Sequence, residues 1–116
     1  MNKARIVALA FLGGFATHAL AAEMSLGKFT LAPGEKRTIT VESNASFKAG
    51  FTNESSAEQI KSCKKTCIGM NVVGDPFSEV AASVGTTITV KPVNGKAEIV
   101  FVNREAFPIP ISVFRQ

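Results

Sequence analysis

Tryptophan and tyrosine are absent from this 116-residue chain, histidine occurs once and cysteine twice. An outer-membrane barrel needs at least eight strands of about 9 to 11 residues bounded by aromatic girdles, and no Trp or Tyr is present to build them. The immunoglobulin signature of Cys, Trp and Cys at fixed intervals is missing for the same reason. Charged residues make up 19% of the chain and hydrophobic ones 46%. That balance is too apolar for a disordered chain, and the apolar runs are too interrupted for an integral membrane protein. The length allows one core and no second domain.

The single histidine, His18, falls in a segment that reads as an address. Residues 1–22 begin with Lys3 and Arg5, continue through the uncharged stretch from Ile6 to Phe15, and end Ala19-Leu20-Ala21-Ala22. A basic start, an apolar middle and an Ala-x-Ala exit are the parts of a secretory signal peptide, with cleavage expected after Ala21 or Ala22. A membrane anchor would need about 20 strongly apolar residues, and Gly13, Gly14, Thr17 and His18 break the run. Export to the periplasm or beyond the cell is the implied destination. Loss of Lys3 and Arg5 from the 13 basic residues leaves 11 against the same 9 acidic ones, so the formal charge falls from +4 to +2. His18 is lost with them. Residues 23–116 then have no imidazole for a Ser-His or Cys-His pair, a general base or a zinc site.

What remains is patterned mainly for β structure. Residues 28–32 and 36–42 alternate apolar with polar, with Ile39 and Val41 inward, around a Pro33-Gly34 pair suited to a type II turn. They form a hairpin or a sharp corner. Phe47, Ala49 and Phe51 continue the period of two. Asn71–Val73 is a short strand and Gly74–Pro76 a turn, while 77–84 suits helix and strand about equally. Thr86–Val90 reads as a strand, and Asn94-Gly95 is the strongest hairpin signal in the chain. Val100, Phe101 and Val102 follow Ile99 without a polar interruption, so this strand should be central. Phe107, Ile109, Ile111 and Val113 alternate with Pro108, Pro110 and Ser112, which predicts an edge strand with its prolines outward. Roughly six or seven strands with regular turn signals and one short helical insertion fit an all-β domain over residues 23–116. An antiparallel, immunoglobulin-like β-sandwich is expected, with a small β-barrel as the alternative. The segment 29–41 resembles the first two strands of bacterial immunoglobulin-like domains, and this short resemblance implies no function.

The helical insertion carries the only concentrated chemistry. Ser55-Ser56-Ala57-Glu58 reads as a capping box, and Ile60, Cys63, Cys67 and Met70 follow at helical spacing, predicting a helix over about 56–68. Two cysteines in an exported chain point to a disulfide. Helix and disulfide conflict here. Residues i and i+4 of a helix hold their Cβ atoms about 5 to 6 Å apart, and a disulfide needs about 3.5 to 4.5 Å. If Cys63 and Cys67 are bridged, the helix must end before them and 64–66 must become a tight loop. The alternative leaves both thiols free, and with the Met70 thioether they would suit copper(I) or thiol-redox chemistry.

Lys61, Lys64 and Lys65 make the same insertion basic, with Lys48 a further candidate neighbour. Outside the cytoplasm such a patch would meet a protein or a cell-envelope component, and nucleic acid is not expected as a partner at net +2. No Gly-x-Ser-x-Gly, phosphate loop or dinucleotide fingerprint occurs, and the carboxylates are scattered singly. The expectation is therefore an exported, non-enzymatic β-sandwich, without a cofactor, that binds through the 55–75 region. The alternative function is a periplasmic copper(I) or thiol-redox protein using Cys63, Cys67 and Met70.

Overall fold

The computed structural model describes residues 23–116; the expected leader, residues 1–22 with His18, lies outside the described residues. The elements in chain order are β1 Met24–Leu31, β2 Lys36–Glu42, β3 Phe47–Asn53, α1 Ala57–Lys61, β4 Ile68–Val72, β5 Asp75–Ala82, β6 Gly85–Val90, β7 Lys96–Asn103 and β8 Ile109–Arg115. The strands pair antiparallel as a nested series, β4 with β5, β3 with β6, β2 with β7 and β1 with β8. Alternate pairs of that series fall in opposite sheets, giving the orders β1-β8-β3-β6 and β2-β7-β4-β5.

The sandwich expected from the alternation is what forms. Its strand order is that of an eight-stranded jelly roll. In the immunoglobulin order the first two strands share a sheet, and here β1 and β2 lie in opposite ones. The barrel alternative is also set aside, because among the described residues each sheet keeps two free edges, β1 and β6 in one and β2 and β5 in the other.

The turn chemistry explains how the chain changes sheet. At Pro33-Gly34 the Gly34 φ is 72°, and the Glu35 N–H donates to the Ala32 carbonyl at 2.9 Å. This is a corner, not a hairpin. The Glu35 carboxylate accepts the Ala32 N–H at 2.7 Å and the Arg37 guanidinium at 2.8 Å, and these bonds, Ala32 first, hold its pKa below the ordinary carboxylate value. Arg37 also lies 4.5 Å over the Phe29 ring, so the corner is tied to both strands it joins. Asn94 and Gly95 adopt the positive φ values expected of them, 55° and 81°. The turn is made, yet it closes only the single bridge between Val93 and Lys96. β6 and β7 then part into opposite sheets.

β7 is central as expected, between β2 and β4. β8 is not the edge that its prolines suggest, for it lies between β1 and β3. Pro108 precedes the strand. The Pro110 carbonyl accepts the Glu54 N–H at 2.8 Å, which places its missing donor just past the end of β3, where the ladder runs only from Ala49 to Asn53. A proline at a ladder's end costs no hydrogen bond.

Both sheets contribute to one core that includes Leu31, Phe51, Met70, Ile99, Phe101 and Ile109. Phe51 and Phe101 meet edge to face across the layers, 6.1 Å between centroids and 84° between planes. Gly50 allows β3 and β6 to approach closely, since a Cβ there would overlap the Thr86 carbonyl oxygen. The ambiguous 77–84 segment is largely strand. β5 pairs irregularly with β4 between Met70 and Val72, and along this irregular stretch Phe77 stands 97% exposed. Ser78 repairs the interrupted ladder: its hydroxyl accepts the Val72 N–H and donates to the Asp75 carbonyl.

Asn103, 1% exposed at the end of β7, joins three segments. Its Nδ2 donates to the carbonyls of Leu31 and Ala32 at 3.1 Å and of Phe107 at 2.7 Å, and its Oδ1 accepts the Glu105 N–H at 2.8 Å. The corner after β1 and the loop before β8 are thereby fixed at one end of the sandwich. The disulfide region sits at this same end.

Candidate functional site

The helix is shorter than its periodicity predicts. It spans Ala57–Lys61, capped by Ser56, whose hydroxyl accepts the Gln59 N–H at 3.2 Å. The cap is one residue later than the predicted box, and the Ser55 hydroxyl is buried without a partner among the described residues. Cys63 and Cys67 form a disulfide with their Cα atoms 5.4 Å apart. The helix stops before the bridge, as the geometric conflict requires, and 64–66 becomes a loop. Cys67 takes a φ of 22° and starts the chain into β4.

The continuous stripe Ile60-Cys63-Cys67-Met70 therefore does not exist as one helical face. Ile60 packs from the helix onto the core, whereas Met70 lies in β4, 1% exposed. Bridged sulfurs offer no thiolate, and thiolate is the form in which cysteine binds copper(I) or acts as a nucleophile.

A residue that the motifs did not single out holds the loop. Glu105, 7% exposed, accepts the Lys64 N–H on Oε1 and the Lys65 N–H on Oε2, both at 2.8 Å. Two successive amides facing one carboxylate form a small anion nest. The Arg104 N–H donates to the Cys67 carbonyl at 2.8 Å, so the 103–105 turn holds the loop at three points. Sequence separations of 40 and 41 residues hide this latch, and an isolated glutamate carries no local signal for it.

With the backbone so occupied, the side chains of Lys61, Lys64 and Lys65 are exposed. Among the described residues the ion pair is Arg37 with Glu35, and none of the three lysines joins it. Lys48 does not belong to the group; it lies near the start of β3, and the helix follows from the other end of that strand. Beside the loop, on the outer face of the β2-β7-β4-β5 sheet, runs an open depression of about 630 Å³ lined in part by Lys65, Gly69, Glu79, Ala81, Val102 and Arg104. Gly69 leaves room in its floor, and the Arg104 stem lies 3.7 Å from where a Cβ would stand. Small apolar groups below and charged groups above suit a polar or charged ligand edge more than an enclosed small molecule.

Neutralising the latch tests it directly. In Glu105→Gln one oxygen is replaced by an NH2 that faces a backbone N–H, so a charge-assisted bond is lost and two donors oppose each other. The expected cost is about 2 kcal/mol, with faster hydrogen exchange at the Lys64 and Lys65 amides. Unchanged protection at those two amides would show that the carboxylate does not hold the loop.

Comparison with protein-family models and with curated protein sequences gives no match. Among the described residues no helix is long and apolar enough to cross a membrane.

Proposed function

We propose that this is an exported, non-enzymatic binding protein that meets a protein or cell-envelope component through the end of α1, the 62–67 loop and the adjoining depression. The observation that carries the proposal is the fixed loop with free charges. Disulfide, Glu105 carboxylate and Arg104 amide immobilise the backbone, while Lys61, Lys64 and Lys65 stay unpaired by acidic groups among the described residues. A loop ordered in advance loses less entropy on binding. Charges on its rim act mainly by steering an acidic partner and fixing its register.

The disulfide itself suits an oxidising compartment. A bond enclosing so short a loop restricts the unfolded chain little, and its effect is to shape a local surface.

The test reverses the charge. Lys61→Glu, Lys64→Glu and Lys65→Glu together should reduce partner recovery from an extracytoplasmic extract about tenfold, equivalent to roughly 1.4 kcal/mol. Added salt should produce the same loss in the unaltered protein. Undiminished recovery of every partner by the triple variant would overturn the assignment.

A further inference from the structure

β2 has β7 on one side and, among the described residues, a free edge on the other. Its orientation can be read from two hydrogen bonds. Asn103 N–H donates to the Glu35 carbonyl, and Ser43 N–H donates to the Gly95 carbonyl. Odd-numbered residues therefore turn their backbone groups toward β7, and Lys36, Thr38, Thr40 and Glu42 turn theirs to the open side. These four also have exposed side chains.

The other three edges are obstructed or shorter. β1 has an irregularity between Ser25 and Gly27, and β5 carries Pro76 together with its own irregularity. By the same alternation, since Asn53 N–H donates to the Val84 carbonyl, β6 presents only Gly85, Thr87 and Thr89. The register of β2 against β7 runs from Lys36 to Glu42 without a break, and it contains no proline. An edge of this kind is a template for another strand.

The sequence Lys36-Arg37-Thr38-Ile39-Thr40-Val41-Glu42 is complementary to itself when reversed. Two copies placed antiparallel about a two-fold axis at Ile39 bring Lys36 opposite Glu42 and Thr38 opposite Thr40, and the axis repeats both pairs. All four outward residues of each strand then form ladder pairs. Opposite charges and paired threonines are favourable cross-strand neighbours. Arg37 faces inward and is engaged with Glu35 and Phe29, so it adds no like-charge contact. A slip of two residues in either direction loses a ladder pair and both Lys-Glu matches, and a slip of one sets outward groups against inward ones. We infer that the β2 edge docks a second copy of this chain, joining two β2-β7-β4-β5 sheets into one continuous eight-stranded sheet with an isologous interface.

Sedimentation of the purified protein with its disulfide intact should show a monomer-dimer equilibrium. Lys36→Glu and Glu42→Lys, each alone, should weaken the dimer at least about tenfold, because each sets two like-charge pairs across the axis. Mixing the two single variants should restore association as a heterodimer, since every pair is then Glu opposite Lys. Both changes are on exposed positions, and circular dichroism of each variant checks the fold separately. A protein that stays monomeric up to about 1 mM, or a dimer indifferent to both single variants, would overturn the inference.

Discussion

Phe101→Ala should remove about 4 kcal/mol of stability, within the range found for buried phenylalanine truncations. Phe101 is wholly buried on β7. Its ring meets Phe51 at 6.1 Å and Phe29 at 6.4 Å, both edge to face, and both of those residues belong to the opposite sheet. Truncation opens a cavity between the layers and removes both aromatic contacts. A domain of this size is stable by only about 5 to 15 kcal/mol, so the loss is about a quarter of the total or more and the midpoint should fall by tens of degrees. Phe101→Leu, which keeps most of the volume, should cost about half as much and covers the case in which the alanine variant does not fold. Urea denaturation measures both. A loss below about 1 kcal/mol for the alanine variant would contradict the interlayer packing described above.

Asn103 is the second position of large effect, for a different reason. Asn103→Ala leaves the carbonyls of Leu31, Ala32 and Phe107 and the N–H of Glu105 without their partner. At about 1 to 3 kcal/mol for each buried group left unpaired, reduced where water can enter, a total near 3 kcal/mol is expected. Asn103→Asp should be worse than alanine, although it is nearly isosteric. It keeps the acceptor for Glu105 and turns a negative oxygen toward three carbonyls. If the aspartate variant proves the more stable of the two by denaturant titration, the side-chain amide is not acting as the donor.

Most individual strands were legible in the sequence because their period of two follows from one buried face. Val41 and Ile39 on β2, and Ala49 and Phe51 on β3, point where the alternation puts them. Strand order was less legible, because turn residues specify local φ and ψ and say nothing about which sheet the chain enters next. Asn94-Gly95 makes its turn, yet the strands it separates diverge. The C-terminal prolines misdirected for a related reason: they identify missing donors, and a ladder's end tolerates these as well as an outer edge does. At the candidate site, the end of the helix followed from the length of a disulfide. The latch did not, since nothing around Glu105 in sequence foretells two amides from the 64–65 loop.

The central position of β8 bears on the order in which this chain can fold. Sheet β1-β8-β3-β6 receives one of its two inner strands, β8, from the C-terminal side of the domain, and the register joins Met24 to Arg115. Before residues 109–115 are available, β1 has no hydrogen-bonded neighbour strand among the described residues and β3 has only β6. A chain synthesised N-terminus first therefore cannot complete this sheet as it emerges. Its first strand must wait, solvated or held by another factor, until the last is present. The pairing that completes the sheet closes a loop nearly as long as the described region, residues 23–116, which is a slow class of event. Completion of this sheet only after residues 109–115 are present is built into the topology.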